Sequence, residues 1–250
     1  MPDAFAARLR VEDLRVRLGD QIVLRDVSFT LEAHTTMVVI GASGCGKTTL
    51  LRSIAGLIAA EHGRVVLGGE SVDDLAANRR RIVYLNQEPL LFPHLNLFEN
   101  IAFGLRLRRL SERFVGERVS ELIACLELTG LERRYPQALS GGQRQRAAFG
   151  RALAVDPALL LLDEPFSNLD PDTRANMQDL FKQVARERGI SALFVTHDLK
   201  ESIRIGDSFA ILRDGQLRTF GDRQAFCADE QSGVDREAAF WRMVAGADQK

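Results

Sequence analysis

The sequence predicts an α/β fold: an α/β core interrupted by a helical subdomain. Three observations lead there. Short apolar runs, Met37 to Ile40, Leu159 to Leu162 and Ala192 to Val195, read as buried strands. A glycine-rich segment, Gly41 to Thr48, follows the first run directly, and apolar residues at helical spacing follow it. From Asn96 to about Leu153 the apolar pattern turns helical.

The elements follow in order. Leu9 to Leu18, then Val27, Phe29 and Leu31, alternate with period two, so the chain is expected to begin as antiparallel strands with Gly19-Asp20 as their turn. Met37 to Ile40 feeds the glycine loop, and Leu50, Leu51, Ile54, Leu57 and Ile58 mark the helix beyond it. Arg81 to Leu85 is a further strand candidate. Within the helical stretch, Ser111 and Ser140 are candidate helix starts and Gly130 a stop. A helix is expected from about Pro171 to Arg188, with Gly189 past its end. Phe209 to Leu212, Asp214-Gly215 and Gln216 to Phe220 read as a hairpin. Beyond Gly221 the chain becomes polar, then offers one last helix, Val234 to Val244, carrying Phe240 and Trp241. There is no internal repeat, low-complexity tract or long linker. The expected organisation is a single domain over 1–250, with a core from 1–86 and 155–221, helices over 87–154 and a tail over 222–250.

Composition narrows the function classes. The 250 residues are 46% hydrophobic and 27% charged, ordinary for a globular protein with a sizeable core. A formal net charge of -1 gives no global attraction to nucleic acid or to an anionic membrane surface. No apolar run is longer than Ala158 to Leu162, which falls far short of the ~20 residues a bilayer requires. No basic segment followed by an apolar stretch marks the N-terminus as a secretory signal. Cys45, Cys125 and Cys227 are odd in number and lack framework spacing, which favours a reduced, cytoplasmic compartment.

Four groups of residues carry chemistry. Gly41-Ala42-Ser43-Gly44-Cys45-Gly46-Lys47-Thr48 fits G-x-x-x-x-G-K-[ST] between a strand and a helix. Its glycines let backbone N–H groups face phosphate oxygens, and the helix N-terminus adds a positive dipole end. Lys47 is expected on the β- and γ-phosphates and the Thr48 hydroxyl on Mg²⁺. Cys45 reads as a small loop filler. Leu159-Leu160-Leu161-Leu162-Asp163-Glu164 places two carboxylates at the carboxyl end of a buried strand, where ligands bind in open α/β sheets. Asp163 suits Mg²⁺ and Glu164 suits a general base for the attacking water. Gln87 and His197 each follow a strand, on the same side as Lys47 and Asp163. Gln87 is placed to touch Mg²⁺ and the γ-phosphate, His197 to hydrogen-bond the γ-phosphate. Taken singly, either is more often an ordinary polar residue. Leu139-Ser140-Gly141-Gly142-Gln143 opens a helix with bare amides and a hydroxyl, an anion site with no phosphate loop near it in sequence.

In this order, with Ser167-Asn168-Leu169-Asp170 between Glu164 and His197, the set resembles the nucleotide-binding subunits of ABC transporters, over about Leu9 to Gly221. The resemblance implies a P-loop NTPase (RecA-like) core with an N-terminal antiparallel β-subdomain and an inserted α-helical subdomain. It implies ATP and Mg²⁺ as cofactors and ATP hydrolysis as the activity. Two subunits, identical or paralogous, would pair head-to-tail, each ATP lying between Lys47 of one and Ser140 and Gly142 of the other. Gly41 to Thr49, Gln87, Ser140 to Gln143, Asp163 and Asp170 would then touch nucleotide or its interface, with Asp170 linking the two sites. Where the family usually stacks Tyr or Phe on adenine, before Gly19, this chain has Leu18.

Gln87 to Asn100 is similar to the matching stretch in ATPases of bacterial importers for sugars, polyamines, oxyanions or iron. In that family the region receives a coupling helix from an integral membrane permease subunit, and a solute-binding protein completes the system. Leu91, Phe92, Leu95 and Phe98 supply an apolar groove or fill their own core; about two of the four are expected to face the partner. The subunit would sit in the cytoplasm, peripheral on the inner face of the membrane. Several importer ATPases carry an added C-terminal β-domain, whereas this sequence stops at Lys250. The alternative is a soluble ABC-type ATPase not linked to transport. A chromosome or repair ATPase would need a long coiled coil, and no sustained heptad tract exists. A translation factor would usually carry two cassettes. A nucleotide-gated scaffold without turnover is opposed by Glu164 and His197.

Overall fold

Alternating apolar residues build the first of two sheets. The computed structural model of the chain describes residues 7–235, 237 and 239. Strands β1 (Ala7–Leu18) and β2 (Gln21–Glu32) form an antiparallel hairpin that closes at Leu18↔Gln21, with Gly19 at a φ of +57° in the turn. Leu9, Val11, Leu14, Val16, Leu24, Val27, Phe29 and Leu31 face inward from this ribbon. After β3 (Thr36–Ile40) and helix α1 (Lys47–Ile54), strands β4 (His62–Leu67) and β5 (Glu70–Ser71) complete a four-stranded sheet of order β2-β1-β4-β5. The pattern reading of the sequence did not single out β4 and β5. Only the second half of β4 is buried, so no period-two signal spans it.

The second sheet is largely parallel. It receives β6 (Ile82–Leu85), then three helices intervene: α2 (Leu97–Leu107), α3 (Glu112–Cys125) and α4 (Gly141–Ala154). Next come β7 (Leu159–Asp163), α5 (Pro171–Glu187), β8 (Ala192–Thr196), α6 (Leu199–Ile205), β9 (Ser208–Arg213), β10 (Gln216–Phe220) and α7 (Arg223–Cys227). The order is β10-β9-β3-β8-β7-β6, parallel throughout except for the β9–β10 hairpin.

Caps explain the helix boundaries. Asn96, Ser111 and Ser140 each accept a hydrogen bond from a backbone N–H in the first turn, and Ser140 and Gln143 form a reciprocal capping box. Helix α3 ends at Cys125, short of Gly130: Leu126 and Leu128 turn back into the core, and Gly130 lies in the following loop at a φ of +84°. Helix α5 has Pro171 in its first turn and ends against Gly189 at a φ of +59°. Strand β6 starts one residue later than expected, because Arg81 adopts a φ of +57°. The short helices α6 and α7 were too brief to show a pattern in the sequence. The expected helix carrying Phe240, Trp241 and Val244 lies outside the described residues.

The four leucines of β7 show how the parallel sheet divides the interior. Leu160 and Leu162 join Val38, Phe194 and Phe209 in a core shared with α2 to α5. Leu159 and Leu161 join Val39, Val195, Leu50, Leu51 and the antiparallel sheet in a second core on the opposite face. A strand covered on both faces has no polar side, which is why the sequence reads as an unbroken apolar run. Leu161 is fully buried. Leu161→Ala is therefore expected to cost about 2–5 kcal/mol. Denaturant unfolding of the variant checks this, and a loss well under that range would mean the site collapses around the cavity.

Candidate functional site

The strand order puts four chain segments in one row. Strands β3, β8, β7 and β6 are neighbours and parallel, so their carboxyl ends emerge together. The row carries Gly41 to Thr48 after β3, His197 after β8, Asp163 and Glu164 at the end of β7, and Gln87 just past β6. A cavity of about 560 Å³ opens there. The glycine loop contributes Ser43, Gly44, Gly46, Lys47, Thr48 and Thr49, and the strand ends contribute Gln87, Asp163, Glu164 and His197. The first hairpin supplies Leu18, Gln21 and Val23 at the rim. That volume lies within the range of small-molecule sites.

The loop conformation depends on its glycines. Gly44 and Gly46 sit at φ of +81° and +108°, where an L-residue is strained. A Cβ at Gly41 would fall 2.5 Å from the Leu212 carbonyl oxygen and 2.5 Å from Cys45 Sγ. Cys45 thus fills space behind the loop, and burial pushes its thiol above the ordinary range. It forms no disulfide, nor do Cys125 and Cys227.

Lys47 is only 5% exposed, and a buried ammonium is costly unless it is paired. It donates to the carbonyls of Gly41 (2.8 Å) and Ala42 (3.1 Å), and its Nζ lies 3.4 Å from Glu164 Oε1. The other Glu164 oxygen, Oε2, is 2.7 Å from His197 Nδ1. Glu164 itself has a φ of +45°, uncommon for a non-glycine residue. Its backbone is clamped. Its N–H donates to Val195 O, and its carbonyl accepts from Ser167 Oγ at 2.9 Å. Gln87 Nε2 donates to that same Ser167 oxygen at 3.0 Å. Arg174 in turn donates to the carbonyls of Phe166, Ser167 and Leu169 and holds this loop in shape.

Asp163 is also buried, 7% exposed. Its Oδ1 accepts from Thr48 Oγ1 at 3.1 Å, and its Oδ2 accepts from Tyr84 Oη at 2.6 Å. Burial and then the bond to Asp163 push the Tyr84 phenol up to about 12, so it stays a donor at neutral pH. A hydroxyl and a carboxylate are hard oxygen ligands, which suits Mg²⁺. Among the described residues no group of three or more His, Cys, Asp or Glu is arranged to hold a metal ion.

The remaining sequence-derived residues lie elsewhere. Ser140, Gly141, Gly142, Gln143 and Asp170 do not line this cavity. Ser140, Gly141 and Asp170 are exposed at the starts of α4 and α5. Those two helix N-termini are close to each other, since a Cβ at Gly142 would fall 2.6 Å from Thr173 Cγ2. The Asp170 carboxylate caps α5 and is held below its usual range by the Thr173 N–H. Sequence reasoning missed Tyr84, Arg174, Gln21 and Val23, and it quoted Ser167 without the bridge it makes. Tyr84 lies in Arg81 to Leu85, a stretch the sequence did mark as a strand; its partner was not legible.

In the stretch Gln87 to Asn100, Leu91, Phe92, Leu95 and Phe98 are all half-buried. Leu91 and Phe98 pack against the helical core. Phe92 packs tilted against Phe103, at 4.5 Å between ring centroids, under the Arg151 guanidinium at 5.0 Å. Asn100 pins the segment by bonding to the backbone of Phe92, Leu95 and Asn96. Leu90 projects, 57% exposed, beside a smaller cavity that also touches Gly141 and Leu169.

The family model described as ABC transporter matches residues 24–167, which span the glycine loop, Gln87, Ser140 to Gln143 and Asp163-Glu164. The chain belongs to the ABC transporter family. It is 42% identical over 224 residues to the molybdate/tungstate import ATP-binding protein WtpC of Thermococcus kodakarensis, covering 89% of this chain and 68% of that one. It is 43% identical over 221 residues to the sulfate/thiosulfate import ATP-binding protein CysA of Burkholderia mallei, covering 87% of this chain and 63% of that one. Like other ATP-binding members of the ABC transporter family, the chain binds ATP and is an ATPase. Among the described residues no helix is long and apolar enough to cross a membrane.

Proposed function

We propose that this chain is the ATP-hydrolysing subunit of an importer, that it works as a pair of such subunits in the cytoplasm, and that it docks on integral membrane permease subunits. One observation carries the reading. Lys47, Asp163, Glu164, Gln87 and His197 converge on one cavity, while a second anion-seeking element, Ser140 to Gln143, lies outside it with Ser140 and Gly141 exposed. A second copy, or a paralogous subunit, supplies the missing half to each site. The names of the relatives, WtpC and CysA, favour a tetrahedral oxyanion as the solute. A solute-binding protein would deliver it. A soluble ATPase unlinked to transport is not favoured, because these relatives are named as import subunits.

In this reading the base rests against Leu18 and Val23, and the triphosphate lies along Gly41 to Thr49. Loop amides and the N-terminal dipole of α1 meet its charge. Lys47 turns from its loop carbonyls to the β- and γ-phosphates. Thr48 and Asp163, with Gln87 beside them, hold Mg²⁺, which when bound neutralises charge on the phosphates. Glu164 takes a proton from the attacking water as its oxygen bonds to the γ-phosphorus and the bond to the β–γ bridging oxygen breaks. His197 orients Glu164 and donates to γ-phosphate oxygen, and Gln87 helps to place the water. Gln87 reaches Ser167 and through it the backbone of Glu164. The segment from Gln87 to Asn100 therefore links a docked permease to the chemistry.

Three outcomes are expected. Glu164→Gln should keep ATP binding while cutting turnover by ~10²-fold or more. Steady-state phosphate release checks it, and near-normal turnover removes Glu164 from the base role. Ser140→Arg should leave ATP binding to the separated subunit intact yet abolish Mg·ATP-driven dimerisation in the Glu164→Gln background. Sedimentation velocity reads this directly; a normal dimer would contradict the role of Ser140 across the interface. Leu18→Tyr should lower KM for ATP about tenfold with kcat little changed, because an aromatic stack on a base is worth ~1–3 kcal/mol. An unchanged KM would place the base elsewhere.

A further inference from the structure

Tyr84 has no part in the chemistry described so far, yet its hydroxyl meets the carboxylate proposed to hold the metal. Its position follows from sheet register. Tyr84 in β6 is paired with Leu161 in β7, so both side chains stand on the same face. Two residues further along β7, on that face, is Asp163. Two residues of strand span about 6.6 Å, a distance a phenol ring bridges with its hydroxyl. The Tyr84 ring packs with the core beneath the phosphate loop. Its hydroxyl is 2.6 Å from Asp163 Oδ2, while Thr48 Oγ1 is 3.1 Å from Asp163 Oδ1. Thr48 stands on the helix that begins with Lys47. Asp163, at the end of β7, thus joins α1 to β6 through Thr48 and Tyr84.

We propose that Tyr84 is a positioning residue for divalent metal. It occupies one oxygen of Asp163 and turns the other, beside Thr48, toward the phosphate loop. A free carboxylate in that place rotates and offers either oxygen. With Oδ2 held, Asp163 is oriented before nucleotide arrives. Groups that orient metal ligands in this way commonly contribute 10–100-fold to metal affinity. The proposal rests on the reading that Asp163 and Thr48 hold Mg²⁺ with ATP.

The test uses Mn²⁺ as the probe and binding as the readout. Free Mn²⁺ is counted by electron paramagnetic resonance as it is titrated into the full chain with ATP, in the native protein and in Tyr84→Phe. The expected result is a tenfold or greater weakening of Mn²⁺ binding in Tyr84→Phe, with ATP binding in EDTA unchanged. Equal or tighter Mn²⁺ binding in the variant overturns the proposal. If the native protein with ATP binds no Mn²⁺ beyond ATP alone, the reading of Asp163 and Thr48 fails instead. A second measurement keeps the hydroxyl in place. The sequence has two tyrosines, Tyr84 and the exposed Tyr135. Tyr135→Phe labelled with 3-fluorotyrosine therefore reports Tyr84 alone. Its ¹⁹F resonance is expected to shift on adding Mg²⁺ to the ATP complex, and indifference to Mg²⁺ overturns the proposal.

Discussion

Everything at this site depends on the neighbouring positions of β3, β8, β7 and β6 in one parallel sheet. Parallel pairing sends their carboxyl ends the same way, so residues far apart in sequence arrive in one row. Ile40 pairs with Thr196, Val195 with Asp163, and Leu162 with Leu85. These registers set Lys47, His197, Glu164 and Gln87 at comparable height. Two apolar cores, one on each face, make a slip by one residue very unfavourable, because it would move every side chain into the opposite core, which is packed around different partners. Packing of the leucines in β7 is thus what holds the carboxylates in place.

Two adjacent carboxylates at the end of one strand have different partners, and so different chemistry. Asp163 points to one face, buried between two hydroxyl donors. Glu164 follows in a left-handed conformation and meets a lysine and a histidine. Hydroxyl donors suit a group that shares its oxygens with a metal. A cation and an imidazole suit one that is held in place at the cavity wall, within reach of a water. The uncommon backbone of Glu164 is offset by bonds from Ser167 and to Val195, and Arg174 supports the loop behind them. Ser167 is a joint: it takes a hydrogen bond from Gln87, where the segment proposed for docking begins, and gives one to Glu164.

Much of this was legible beforehand. The glycine loop, the acidic strand end and the serine helix start are local patterns, and local physics produces them: positive φ at Gly44 and Gly46, an apolar run ended by acids, a capping box. The helix boundaries at Asn96, Ser111, Ser140 and Pro171 were marked by their caps for the same reason. Where the pattern was weak, the expectation slipped. Gly130 did not end a helix, since Leu126 and Leu128 had already been drawn into the core. Strand β4 escaped notice because half of it faces water.

The sequence alone determined which residue types are available at the strand ends, since each is a short motif whose geometry its own neighbours impose. It also determined the α/β class, through apolar runs too uniform for any surface strand. Only the tertiary structure decided who meets whom. The pairing of Tyr84 with Asp163, of Gln87 with Ser167 and of Lys47 with Glu164 depends on strand order and register. Those are set by how two cores pack across a sheet, a long-range balance of burial that no window of residues contains.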